Sequence, residues 1–151
     1  KKKQNNMFSY SVGYRYLFDK NNDLVFEKKH RFYGDLRVKK NIYKRFFMNA
    51  RTRLQVQVDD EFKFSKNVQS KLREKIKFIY NVKTLDLDFF SAVEPFYLFG
   101  DGFEKIRYIV GLEKSLFEIV DISLYYMYQK ELNNPLESFS VFKTGFSYRI
   151  R

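Results

Sequence analysis

Apolar and polar side chains alternate with a period of two along nearly the whole chain. The first clear case interleaves Phe8, Tyr10, Val12, Tyr14 and Tyr16 with Ser9, Ser11, Gly13 and Arg15. Successive side chains of a β-strand point to opposite faces, so a segment of this kind makes one apolar and one polar face. The polar member is frequently Arg, Lys, Asp or Glu. A sheet of such strands must set one face against apolar surroundings and the other against water or ionic partners.

The alternation resolves into eight expected strands. The first spans 8–18 and ends in the turn-rich Asp19-Lys20-Asn21-Asn22-Asp23. The second spans 31–39, after a segment 24–30 that reads as a loop or an extension of the hairpin. The third, 44–58, is the cleanest: Phe46, Met48, Ala50, Leu54, Val56 and Val58 alternate with Arg45, Asn49, Arg51, Arg53, Gln55 and Gln57. The remaining five are expected at 70–80, 84–97, 105–113, 117–129 and 138–151.

Connections after the second, fourth and sixth strands are short; those after the first, third, fifth and seventh read as longer and more polar. Both termini then fall at the tight-turn end. The expected fold is all-β: a closed antiparallel up-and-down barrel forming a single domain over 1–151.

Alternation alone does not say which face is inside. An inward apolar face makes a soluble, lipocalin-like barrel holding an apolar ligand. An outward one makes a transmembrane barrel with a polar lumen. Strand lengths near the ~9–11 residues needed to cross a bilayer favour the second. So does the ionic face, where Arg51, Arg53, Arg73, Lys75 and Lys77 meet Asp86, Asp88 and Glu94, then Lys105 and Arg107, on successive strands. Gly13, Gly111 and Gly145 share that face, where a narrow lumen needs room. Tyr80, Tyr97, Tyr126 and Tyr128 are expected near strand ends on the apolar face, as an interfacial aromatic girdle requires. On this reading Val110, Leu112, Val120, Ile122 and Leu124 face lipid.

Composition narrows the function classes. The 151 residues hold no Cys and one His, which excludes disulfides and thiolate chemistry and leaves no metal-ligand set. Phe and Tyr supply an aromatic content of 20% without Trp. No apolar run approaches the ~20 residues of a helical span. The formal charge of +11 raises the question of nucleic acid. However, the aromatics keep strict parity away from the cations, so a base could not stack on one and contact the other from the same face. The basic flanks Lys1–Lys3, Lys28-Lys29 and Lys39-Lys40 are better matched to lipid phosphates and lipopolysaccharide.

Several segments resemble a known family: His30-Arg31-Phe32-Tyr33-Gly34-Asp35-Leu36, Asn49-Ala50-Arg51-Thr52-Arg53-Leu54-Gln55, Lys71-Leu72-Arg73-Glu74-Lys75-Ile76 and Val93-Glu94-Pro95-Phe96-Tyr97. Residues 103–113, 124–131 and Asn133-Asn134-Pro135 continue the likeness in consistent order. Together they resemble a family of uncharacterised bacterial outer-membrane barrels, catalogued as a domain of unknown function and common in Bacteroidota. The resemblance implies an outer-membrane location and a signal peptide already removed; it carries no activity.

The candidate residues are the lumen charges Arg51, Arg53, Arg73, Lys75, Asp86, Asp88, Glu94 and Arg107. They read as a structural network, in which each buried charge needs a partner, or as a polar path for an anionic solute. His30 would serve an outer-membrane acyltransferase only beside a Ser and an Asp, with Asp35 near in sequence, but nothing identifies a nucleophile. It reads as a solvated loop residue. The expected protein is therefore a monomeric, non-enzymatic outer-membrane scaffold or an accessory subunit of a larger assembly. Its loops are extracellular and its termini periplasmic. Its partners are lipid and lipopolysaccharide, with no cofactor, metal or nucleic acid.

Overall fold

The computed structural model describes residues 7–20, 26–59, 68–116 and 120–148. They form one antiparallel sheet of eight strands in chain order: β1 (Met7–Lys20), β2 (Phe26–Tyr43), β3 (Phe46–Asp59), β4 (Gln69–Val82), β5 (Leu87–Leu98), β6 (Gly102–Leu116), β7 (Val120–Glu131) and β8 (Phe139–Tyr148). A single 3-10 turn, Pro135–Glu137, joins the last two. Each strand pairs only with its neighbours in sequence. Among the described residues β1 and β8 therefore have one partner strand each, and no contact joins them.

The expected up-and-down meander is present, and the observed strands mostly extend past the alternating segments. β2 begins at Phe26, so the described part of the ambiguous 24–30 segment continues the first hairpin. β5 starts later than expected, because residues 83–86 form a turn closed by Leu85 N–H donating to the Val82 carbonyl at 3.2 Å, with Asp86 at φ 49°. The link after β5 is short, contrary to the longer loop expected there. Asp101 N–H donates to the Leu98 carbonyl at 3.2 Å, and Gly100 and Gly102 take φ values of 103° and 88°, which side chains with a Cβ rarely adopt. The links at 21–25 and 117–119 lie outside the described residues, as does most of the one after β3. Because β7 runs to Glu131, Tyr126 sits mid-strand opposite Val110 and not at a strand end.

The sheet curls with its polar face inside. Side chains two strands apart touch on that face: Arg51 of β3 reaches Glu94 of β5, and Lys77 of β4 reaches Glu113 of β6. Burial follows the same division. Asp35, Glu94 and Gln129 are only 2–4% exposed, whereas Val110 and Leu124 are 57% and 51% exposed. That inverts the usual arrangement of a water-soluble sheet.

One patch of the concave face is apolar. Ala92, Ile109 and Met127 lie in register across β5, β6 and β7, with Phe90 beside them, and all four are buried. Ile79, Tyr125 and Val141 pack against this cluster. It occupies the middle of an otherwise polar face, on which alternation already places Phe90 and Tyr125 among the charged positions.

Candidate functional site

Register builds the site from rows of side chains that cross the concave face. One row runs Arg37–Arg51–Lys75 over β2, β3 and β4, and continues with Glu94, Arg107 and Gln129 over β5, β6 and β7. The next runs Asp35–Arg53–Arg73–Phe96–Lys105–Glu131. Arg37 faces Arg51, Arg51 faces Lys75, and Arg53 faces Arg73. Like charges directly opposite one another destabilise a ladder unless carboxylates intervene.

Two carboxylates do intervene. Glu94 Oε1 accepts from Arg51 Nη2 and from Arg73 Nη2, each at 2.8 Å, and its Oε2 lies 3.9 Å from Arg107 Nη1. Asp35 takes a two-pronged contact from Arg53, Nε to Oδ1 at 2.6 Å and Nη2 to Oδ2 at 2.8 Å, and a further bond from Arg37 at 2.7 Å. The forked geometry suits a guanidinium better than an ammonium. Arg107 Nε donates to Gln129 Oε1 at 2.5 Å, and Gln129 passes a hydrogen bond on to Glu131.

Phe96 stands between the rows as a second kind of partner. The guanidinium carbons of Arg73 and Arg107 lie 4.5 and 4.6 Å from its ring centroid, and Lys105 Nζ lies 5.7 Å away. A buried ring face attracts cations through its quadrupole, which offsets part of the missing negative charge. Lys77 does the same over Phe90, at 4.0 Å.

Of the residues expected in the charge network, Arg51, Arg53, Arg73, Lys75, Glu94 and Arg107 share this concave face. Asp86 does not join them: it sits exposed in the 83–86 turn, because the chain reverses before β5 begins. Asp88 shares the face at its turn end, apart from the two rows, where it stands opposite Glu113 and accepts from Asn81 Nδ2 at 2.7 Å. Phe96 and Gln129 carry no such expectation from the sequence, and Asp35 enters there only as a neighbour of His30. For Asp35 the available signal was its shared parity with Arg31 and Arg37. For the apolar patch it was the loss of alternation in Phe89-Phe90, Tyr108-Ile109-Val110 and Tyr125-Tyr126-Met127-Tyr128.

The residues expected to face lipid lie on the convex face. Val110 and Leu124 are exposed there, while Leu112, Val120 and Ile122 are half-buried by their neighbours. His30 is in β2 rather than in a loop. Tyr14 Oη lies 2.7 Å from its Nδ1, and its ring sits among Tyr14 and Tyr16. Asp35 is five residues away and buried on the concave side, so the two cannot act on one substrate group. Among the described residues no group of His, Asp and Glu is arranged to hold a metal ion.

Chemically, this face presents clustered guanidinium and ammonium donors with fewer carboxylates. Such a surface can hold and orient anions. No curated protein and no solved structure matches the chain. A family model does: it matches residues 3–138, which takes in β1 to β7 and the 3-10 turn. Its description is Protein of unknown function (DUF2490), and the chain belongs to that family.

Proposed function

We propose that this protein is an integral β-barrel protein of a bacterial outer membrane, acting as a non-enzymatic scaffold or as an accessory subunit of a larger assembly. The observation that carries this reading is the inverted burial of the sheet. A convex face of Val12, Leu54, Ile76, Val110, Leu124 and Phe142 is exposed, while charged and amide side chains fill the concave one. In water that arrangement leaves an apolar surface far larger than the few hundred Å² usual for a soluble monomer. Against hydrocarbon it is the stable one.

Two further features agree. Strands of 12–18 residues are known for β2 to β7, and a strand of ~14 residues tilted ~45° rises about 33 Å, enough to cross an apolar band ~25 Å tall. Aromatic rings gather towards both ends of the apolar face. Tyr97, Phe99 and Phe103 pack edge to face beside the β5–β6 turn, and Phe46 and Phe78 stack near the opposite end. Hydrocarbon does not tolerate unpaired strand edges, so membrane residence requires the wall to close, most simply by β8 meeting β1. The longer loops then face outside, the termini face the periplasm, and the basic flanks meet lipid phosphate and lipopolysaccharide.

The test is refolding of the purified chain with and without detergent. A membrane barrel aggregates without detergent, folds in micelles or vesicles, and migrates differently on gels before and after boiling. A monodisperse, folded chain in plain buffer overturns the reading. Amide exchange on the folded material reads closure: protection along both β1 and β8 is expected, and rapid exchange on both outer edges overturns β1–β8 closure.

A further inference from the structure

The concave face carries more cation than its carboxylates can neutralise, and the surplus borders a cavity. Glu94 already serves Arg51, Arg73 and Arg107. Lys75 stands between Arg51 and Glu94 in the same row, yet it makes no hydrogen bond or ion pair within the described residues. Its same-face neighbours along β4 are Arg73 and Lys77, so cations flank it on three sides. The Nε atoms of Arg51 and Arg73 are buried with no acceptor. A buried donor without a partner is costly, and a clustered set of them is more so.

Beside this surplus lies a cavity of about 340 Å³. Lys75, Lys77, Arg107 and Lys143 line it together with Phe90, Ile109, Tyr125 and Met127. Of its acidic members, Glu94 is engaged as above and Glu113 by Lys77 at 2.6 Å, while Asp121 accepts from the Ser115 hydroxyl at 2.5 Å. Cations and apolar groups alternate over this lining, as where Lys77 lies 4.0 Å over the Phe90 ring and Lys143 stands opposite Tyr125, so it suits a ligand with both properties. The apolar patch, which a purely structural salt-bridge network would not need, supplies the second property.

We propose that this cavity binds a small organic anion, a carboxylate or phosphate on a short aromatic or aliphatic body. The headgroup sits at Lys75 and Arg107, and the body lies against Phe90, Ile109 and Met127. The volume corresponds to roughly eleven water molecules at ~30 Å³ each, which suits a single-ring anion and is small for a lipid. The site is argued from the concave face and not from what covers the convex one, and its binding test reads separately from the detergent test of the membrane reading.

The test is titration of the full chain, folded in non-ionic detergent or in buffer as its solubility dictates, followed by calorimetry and by chemical-shift changes of the Met127 methyl group. The probes are phenyl phosphate, benzoate, inorganic phosphate and phenol. Phenyl phosphate or benzoate is expected to bind at least tenfold more tightly than inorganic phosphate or phenol, and to shift Met127. Lys75→Met, which keeps the chain length and removes the charge, is expected to weaken that binding at least tenfold. Ile109→Ala is expected to weaken the ring-bearing anions but not inorganic phosphate. Folding of both variants is checked by circular dichroism, and Lys75→Gln serves if Lys75→Met does not fold. Equal affinity for phosphate and phenyl phosphate, unchanged binding in the Lys75 variant, or no saturable binding to folded protein would each overturn the proposal.

Discussion

Replacing Glu94 by Gln should be among the most damaging conservative substitutions in this protein. The side chain keeps its shape and one carbonyl acceptor but loses its charge. In the native protein that charge stands 2.8 Å from Arg51 and Arg73 and 3.9 Å from Arg107. At ~4 Å and an effective dielectric constant of ~20, each unit pair is worth about 4 kcal/mol before desolvation is counted. Most of that is cancelled by the desolvation of the ions, so the sum of three pairs is not the loss. The relevant quantity is the cost of leaving buried cations without their counter-charge, ~3–5 kcal/mol when one partner of a buried pair is removed. The arginines here retain partial access to solvent, which places the expected loss near the lower end, at about 3 kcal/mol. Mutual repulsion among Arg51, Arg73, Lys75 and Arg107 acts in the same direction. The measurement is equilibrium urea unfolding, followed by tyrosine fluorescence and circular dichroism, of the protein folded in micelles or vesicles. Lys83→Gln in the exposed 83–86 turn is the control and should change stability by less than ~0.5 kcal/mol. A loss below ~1 kcal/mol for Glu94→Gln would refute the role of this carboxylate as the anchor of the cationic rows.

Three further outcomes follow from the same geometry. Phe96→Leu preserves most of the buried volume but removes the ring face beneath Arg73, Arg107 and Lys105, and should cost about 2 kcal/mol in the same unfolding assay, with Phe96→Tyr largely restoring it. Gly111→Ala should cost ~1–3 kcal/mol, since a Cβ there would lie 2.5 Å from the Leu124 carbonyl oxygen and 2.8 Å from Tyr125 Cα, both backbone atoms that cannot swing aside; a neutral result would mean that β6 and β7 approach less closely than described. Val110→Arg distinguishes the environment of the convex face: a loss of ~2–4 kcal/mol is expected against hydrocarbon, and a change within ~0.5 kcal/mol if that face meets water.

How much of this was legible beforehand depends on which physical signal each residue carries. The period of two is a local property, fixed by the alternation of Cβ directions along any strand. It therefore divided Val110, Leu112 and Leu124 from Arg107, Glu113 and Tyr125 correctly without any knowledge of neighbours. Strand order followed as well, because hairpin-linked antiparallel strands pair with their successors. Turn positions were less secure. Asp86 continues the alternation of its neighbours, which predicts a strand position, but the reversal at 83–86 is set by hydrogen bonds and a positive φ that alternation does not encode.

Register, and all that depends on it, was decided only by the folded sheet. The sequence offers Glu94 many possible arginines. Pairing of Ile76 with Val93 and of Glu94 with Arg107 selects Arg51, Arg73 and Arg107 from among them. Asp35 became the partner of Arg53 in the same way, by standing opposite it across the β2–β3 ladder. The direction of curl is likewise a tertiary quantity. A flat sheet with this alternation would expose both faces equally; bending it over the charged side buries Asp35, Glu94 and Gln129 and leaves Val110 and Leu124 outside. Local alternation thus determined that there are two chemically opposite faces, and long-range pairing and curvature determined which charges meet and which face is enclosed.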